Sequence, residues 1–134
     1  MTHVKTKQKF IFILCPPSSG STLLQKIIST SANISAFNVE GQALVKPILF
    51  TPDRWNPKKI IPWDIVRDTW MESWDLGKSL FLEKSPPHLI RARQLEKFFF
   101  PSYFVIMMRN PYAFCEGFKR RWGQEYSYYN IAKL

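Results

Sequence analysis

A short polar loop follows the first apolar run of the chain. Phe10–Leu14 is continuously apolar, and the Pro/Ser/Gly segment Cys15–Gly20 separates it from a helix-compatible stretch that begins at Ser21. A buried strand, a tight turn and the start of a helix form a phosphate-binding loop, because the first amides of the helix point at the anion. The spacing therefore predicts a site for a phosphorylated small molecule.

The loop differs from the Walker A motif of nucleoside triphosphatases. In the frame Cys15–Thr22, CPPSSGST, the second glycine and the Ser/Thr are present, but the first glycine and the lysine are missing. That lysine contacts the β- and γ-phosphates in ordinary NTPases, so its absence argues against an ATPase, GTPase or kinase. A turn that binds nothing is the alternative for this segment taken alone.

Two further polar clusters lie at the ends of predicted strands. Leu82–Pro86 (LEKSP) is at the end of the third strand, and Met108–Pro111 (MRNP) is at the end of the fourth. In an open parallel sheet, ligands bind outside the carboxyl ends of the strands. Three polar clusters at three strand ends therefore indicate one shared site.

The elements that hold these clusters alternate between strand and helix. We predict strands at Phe10–Leu14, about Ser35–Val39, Ser79–Leu82 and Tyr103–Met108. Helices are predicted from Ser21 to near Ser31–Asn33, at Trp63–Trp74, at His88–Phe99 and from Asn110–Pro111 onward, with an irregular connection or lid at Pro47–Pro62. This alternation predicts an α/β fold, an open three-layer parallel sheet with crossover helices. We expect a single domain over residues 1–134, with residues 1–9 as a flexible basic lead-in. We also expect the predicted helix at 63–74 to turn an aromatic stripe toward the core, formed by Trp63, Val66, Trp70 and Trp74.

Composition and charge limit the kinds of ligand and the cellular compartment that we expect for this chain. With 19 Lys and Arg against 10 Asp and Glu, the formal charge of +9 favours phosphates and sulfated or carboxylated substrates. The sequence has no motif of alternating aromatic and basic residues that is specific enough to favour RNA or DNA as a partner. The cysteines Cys15 and Cys115 and the histidines His3 and His88 lack metal-ligand spacing. Phe10–Leu14 is too short to span a membrane and is not a signal peptide, so we expect a cytoplasmic chain whose cysteines are small buried hydrophobes.

Together these segments resemble the sulfotransferase family that uses 3′-phosphoadenosine 5′-phosphosulfate (PAPS). The family's loop signature P-[RK]-S-G-[TS]-[TS]-L-L is similar to Pro17–Leu24, PSSGSTLL. A strand that ends in Arg-[Asn/Asp]-Pro before a helix is similar to Val105–Pro111, and the E-K-[ST]-P segment is similar to Glu83–Pro86. The resemblance extends from about Phe10 to Trp122.

The resemblance implies a P-loop NTPase-like fold and sulfuryl transfer from PAPS to a hydroxyl or amine of a carbohydrate, peptide or small molecule. It implies that Arg109 holds the 3′-phosphate and that Gly117 stands where the family often has a phosphate-binding serine. The known members of the family are longer, so the resemblance leaves three alternatives open: a fragment that lacks the C-terminal part of the family domain, a minimal version of it, or a degenerate binder. The residues implied to cradle the 5′-phosphosulfate are Pro17, Ser18, Ser19, Gly20, Ser21 and Thr22.

Three side chains are candidates for the chemistry, and no metal is required. Lys84, at a strand end, could neutralise the leaving phosphate oxygen, and the alternative is a solvated surface lysine. Glu40 resembles the catalytic glutamate of some sulfotransferases and is the first candidate for the general base; a helix-capping or surface acid is the alternative. His88 is the second candidate base, because other branches use histidine, although a surface position is favoured for it.

Ser18 stands where the family has a basic residue, and Lys26, Arg91 or Lys119 are candidates to supply that cation.

Two other functions stay open. The missing cation and the net charge favour a non-catalytic nucleotide or polyanion-binding module as the main alternative. A P-loop kinase-like enzyme is the weaker one, because the Walker lysine and a Mg²⁺-binding Asp at a strand end are absent. The oligomeric state is not predicted.

Overall fold

The computed structural model describes residues 8–122, in which four strands form one sheet with helices between them. The strands are β1 (Lys9–Leu14), β2 (Ile34–Ala36), β3 (Leu80–Lys84) and β4 (Ser102–Ile106). The helices are α1 (Ser21–Ile28), α2 (Gly41–Leu44), α3 (Lys46–Leu49), α4 (Trp63–Ser73), α5 (Ala92–Phe98) and α6 (Pro111–Trp122), with a 3₁₀ helix at Pro86–Ile90. All strand pairs are parallel, in the order β2-β3-β1-β4, which confirms the predicted α/β parallel sheet. Residues 1–7 of the predicted lead-in lie outside the described part.

β1 lies between β3 and β4 and is covered on both faces. Phe10, Phe12 and Leu14 belong to one apolar cluster, whereas Ile13 and Cys15 belong to the other. Side chains from α4 and α5 complete the first cluster, and side chains from α1 complete the second. A strand in this position needs apolar residues on both faces, which explains the unbroken apolar run.

The aromatic stripe of the fourth helix lies in the core, as predicted. Its members are at most 4% exposed: Trp63, Val66, Trp70 and Trp74. The Trp74 ring stacks on Phe37 and on Phe81, with centroids 4.6 and 5.1 Å apart. This stacking joins the segment after β2 to β3 through the C-terminal end of α4.

Several element boundaries differ from the prediction. α1 ends at Ile28, because the hydroxyls of Ser29 and Thr30 donate to nearby carbonyls and compete with further helix. β2 has only three residues, and β3 continues to Lys84. The predicted helix at 88–99 is instead a 3₁₀ helix that starts at two prolines, followed by α5 after a break at Arg91. The short helices α2 and α3 were not predicted.

α6 begins as its sequence predicts. Pro111 is its first residue, and the Asn110 side chain accepts a hydrogen bond from the amide of Tyr112 at 2.9 Å. Cys115 on this helix is only half-buried, so the prediction of a buried thiol holds for Cys15 but not for Cys115. Between residues 8 and 122, none of the helices has the length and hydropathy needed to cross a membrane.

The predicted connection between α3 and α4 is fastened to the start of α5. Arg91 is 2% exposed and donates from Nη2 to the carbonyls of Arg54 and Asn56, at 3.1 and 2.9 Å. Burial lowers the pKa of Arg91 below its ordinary value, and the negative charge of Asp53 raises this pKa and so partly offsets the effect of burial. Hydrogen bonds from Lys59 and Thr51 lower the pKa of Asp53. Arg91 is thus committed to holding this connection.

A buried carboxylate joins α2 to the end of β3. Glu83 is 0% exposed, and its Oε1 accepts hydrogen bonds from the amide of Gly41 at 3.0 Å and from the hydroxyl of Ser85. Its Oε2 hydrogen-bonds with Nδ1 of His88 at 2.9 Å. The indole of Trp70 donates to the Gly41 carbonyl at 3.0 Å. These contacts hold the start of α2 against the carboxyl edge of the sheet.

Gly41→Ala tests this close approach. An added Cβ would lie 2.7 Å from Oε1 of Glu83 and 2.8 Å from Cζ2 of Trp70, and both side chains are held by hydrogen bonds. We expect the free energy of unfolding, measured by urea denaturation, to fall by about 1–3 kcal/mol.

Gly117→Ala is the matched control, because its nearest neighbour would be Nη1 of Arg109 at 4.0 Å. There, replacing a glycine inside a helix should raise the free energy of unfolding by about 0.5–1 kcal/mol. Wild-type stability of Gly41→Ala would contradict the buried contact.

Candidate functional site

The loop between β1 and α1 contains one internal side-chain hydrogen bond and two residues with left-handed backbone angles. Ser19 donates from its hydroxyl to the Pro16 carbonyl at 2.7 Å. Ser18 and Gly20 adopt left-handed backbone angles, with φ of 59° and 93°. Gly20 is the N-cap of α1 and has no side chain that could bind the first amides of the helix. The first turn of α1 therefore receives no capping hydrogen bond from a side chain.

Arg109 reaches this loop from the end of β4. Its Nη1 donates to the Ser18 carbonyl at 3.1 Å, across 91 residues of sequence. Gly117, on α6, lies beside the same guanidinium, as shown by the 4.0 Å that would separate an added Cβ from Nη1. The structure therefore brings together three predicted cofactor-binding elements: the loop, Arg109 and Gly117. Within residues 8–122, the buried Oγ of Ser18 has no hydrogen-bond partner.

Lys84 joins the loop to Glu40. Its Nζ lies 2.7 Å from Oε1 of Glu40 and donates to Oγ1 of Thr22 at 3.2 Å. The Lys84 side chain is 3% exposed, so the alternative of a solvated surface lysine is wrong. Glu40 is the N-cap residue of α2, but its side chain makes no capping hydrogen bond. Its side chain is 33% exposed and points one carboxylate oxygen at Lys84.

His88 is not brought together with this group. It is 1% exposed, which contradicts the surface position, and it hydrogen-bonds with Glu83 among the rings of Trp63 and Trp70. Successive side chains of a strand point to opposite faces, so Glu83 and Lys84 face different surroundings. The structure gives His88 a place in the core, and its role as a base stays a prediction without geometric support.

Two of the candidate replacements for the cation missing at Ser18, Arg91 and Lys26, lie away from the loop. Arg91 binds the connection before α4, as described above, and Lys26 is exposed in the last turn of α1, away from the loop. Lys119 lies on α6. Within residues 8–122, Arg109 contacts the loop through the Ser18 carbonyl, and Lys84 contacts Thr22 at the start of α1.

Gln42 is a site residue that the sequence analysis missed. It is 4% exposed, and its Nε2 donates to Oε2 of Glu40. Its amide N–H donates to the hydroxyl of Ser85 at 3.1 Å. Nothing in the composition or periodicity marks a glutamine two residues after Glu40, because its contact depends on how α2 meets β3.

The site is an open surface feature at the carboxyl edge of the sheet. Gly20 and Thr22 are exposed. Cavities of about 280 and 340 Å³ lie elsewhere, at the β2 edge and around residues 89–94. In the part of the chain that the structure describes, no group of three His, Cys, Asp or Glu side chains could hold a metal ion. In this part of the chain, the cations of Arg109 and Lys84 and the carboxylate of Glu40 meet at the loop.

The chain was compared with models of known protein families and with curated proteins. Neither comparison finds a match.

Proposed function

We propose that this chain is a P-loop NTPase-like domain that transfers a sulfuryl group from PAPS to a hydroxyl or amine acceptor. The observation that carries the proposal is the contact of Lys84 with both Thr22 and Glu40, since it joins the loop, the end of β3 and the candidate base. Arg109 adds the end of β4 through its bond to Ser18. Segments that are distant in sequence thus meet at one edge, where parallel sheets bind ligands.

The cofactor-binding part of the proposal rests on the loop and on Arg109. The start of α1 offers backbone amides and the positive end of a helix dipole to the 5′-phosphosulfate. The guanidinium of Arg109 is exposed, next to Gly117, and is suited to the 3′-phosphate because its fork matches phosphate oxygens.

The chemical part of the proposal rests on Lys84 and Glu40. PAPS, when bound, supplies a sulfuryl group whose bond to the phosphate oxygen breaks as a bond to the acceptor oxygen or nitrogen forms. Lys84 places a positive charge where the leaving phosphate develops negative charge, which is the kind of interaction that lowers a barrier. Glu40 receives the proton that the acceptor loses, since it is the partly exposed carboxylate at the loop.

One observation favours the alternative of a non-catalytic nucleotide-binding or polyanion-binding module. Ser18 leaves the loop without the basic side chain that the resembling family has there, which weakens the stabilisation of developing charge. This alternative uses the same loop and Arg109 for binding, so binding and transfer are tested separately.

Arg109→Ala tests the binding part. We expect adenosine 3′,5′-bisphosphate, the product of transfer, to raise the melting temperature of the wild type, because ligand at about 100 Kd stabilises by about 2.7 kcal/mol. The variant should lose most of this shift, whereas Arg67→Ala, at an exposed position of α4, should keep it. No shift of the wild type at millimolar ligand, or an equal shift in Arg109→Ala, contradicts the proposed binding mode.

Lys84→Met tests the transfer part. With labelled PAPS and a panel of hydroxyl and amine acceptors, we expect kcat to fall by about 10²–10³. We also expect a smaller bisphosphate shift, because the 5′-phosphate of this product is the leaving phosphate that Lys84 contacts in the proposal. The control is Lys78→Met, because Lys78 binds the Ala32 carbonyl at the β2 edge and should not affect transfer. A wild type that binds the bisphosphate but transfers to no acceptor would support the binding module and refute the enzyme.

A further inference from the structure

Gln42 is fixed at both ends beside the candidate base. Its backbone amide donates to Oγ of Ser85, whose hydroxyl in turn donates to the buried Glu83. Its side chain turns back two residues and donates from Nε2 to Oε2 of Glu40. Gln42 is 4% exposed, whereas the Glu40 side chain that it contacts is 33% exposed, so a buried residue holds a partly exposed carboxylate.

The orientation of the Gln42 amide follows from its partner. A carboxylate oxygen only accepts, so the group that faces Glu40 must be the NH₂ and not the carbonyl. The carbonyl Oε1 then lies on the other side, where it is buried and has no partner within residues 8–122. A buried carbonyl without a partner is unfavourable. The Gln42 side chain therefore presents its donor to Glu40.

Both oxygens of the Glu40 carboxylate are consequently held. Lys84 binds Oε1 at 2.7 Å, and Gln42 binds Oε2. Each carboxylate oxygen has two lone pairs, so Oε2 keeps one that can accept a proton. With Lys84 as its single partner, the carboxylate of Glu40 would be fixed at Oε1 only, and the direction of Oε2 would be less restricted.

We propose that Gln42 is a positioning residue, which fixes the direction in which Glu40 presents its carboxylate to the acceptor. This inference rests on the proposed function, because it assigns the role of Gln42 through Glu40 as the general base. It predicts that Gln42 affects the chemical step without affecting cofactor binding. It also predicts that Gln42 has no effect once the carboxylate of Glu40 is removed.

Gln42→Met is the direct test, because methionine keeps the length and volume of the side chain and removes the donor. We expect kcat for transfer from PAPS to fall roughly tenfold to hundredfold, as for a misdirected catalytic group. KM for PAPS and the bisphosphate-induced melting shift should stay at wild-type values. Gln94→Met is the matched control, since Gln94 also has a buried, unpartnered Oε1 but lies on α5, and its kcat should not change.

A double-mutant cycle with Glu40→Ala separates positioning from a general structural effect. If Gln42 acts through Glu40, the double variant should have the same kcat as Glu40→Ala alone. Gln42→Glu provides a second single variant, which keeps the shape but places a carboxylate against Glu40, and it should lose at least as much activity as Gln42→Met.

Multiplicative losses in the double variant, or wild-type kcat in Gln42→Met, would overturn the positioning role while leaving the proposed function standing. Absence of transfer by the wild type would overturn both proposals. The melting temperature of each variant without ligand shows whether it is folded.

Discussion

The buried carboxylate of Glu83 is the interaction on which the arrangement of the site depends. It has no contact with solvent, and it is satisfied by the Gly41 amide, the Ser85 hydroxyl and the His88 ring. Leaving a carboxylate unpaired in the interior is costly, so all three partners have to be in place when the chain folds. The requirement joins α2 to β3 across 42 residues of sequence.

The same strand end serves stability and the proposed chemistry. Because side chains alternate along β3, Glu83 faces the interior while Lys84 faces the loop, where it contacts Thr22 and Glu40. Glu40 directly precedes Gly41, whose amide is bound to Glu83. The contact that anchors α2 therefore also brings the candidate base to within 2.7 Å of the candidate cation. A change at Glu83 would affect both.

The features that sequence reasoning predicted correctly are those encoded by local patterns. The apolar run of β1 marked a strand buried on both faces, the spacing of Trp63, Val66, Trp70 and Trp74 marked a core-facing helix, and Asn110–Pro111 marked a helix start. The alternation of these elements was enough to predict a parallel sheet, and with it the edge where the loop and Arg109 meet.

The features that it missed depend on contacts between distant segments. His88 has an ordinary polar side chain, and its burial follows from the position of Glu83 and two tryptophans. The sequence does not distinguish Arg91 from other basic residues of a helix, because its role depends on hydrogen bonds to the carbonyls of Arg54 and Asn56. Gln42 is recognisable only once α2 is docked on β3. Arg91 and Gln42 depend on hydrogen bonds to residues that are distant in sequence, and His88 depends on ring contacts with Trp63 and Trp70. Such contacts leave no periodic pattern in the sequence.

The central claim is that the ligand site lies at the carboxyl edge of the sheet, between the loop and Arg109. Backbone amide NMR shifts during titration with adenosine 3′,5′-bisphosphate test it most directly. We predict that the largest shifts occur at residues 18–22 and at Arg109, with smaller ones at Lys84 and Glu40. Shifts concentrated around residues 89–94 or at the β2 edge, where the two cavities lie, would contradict this site.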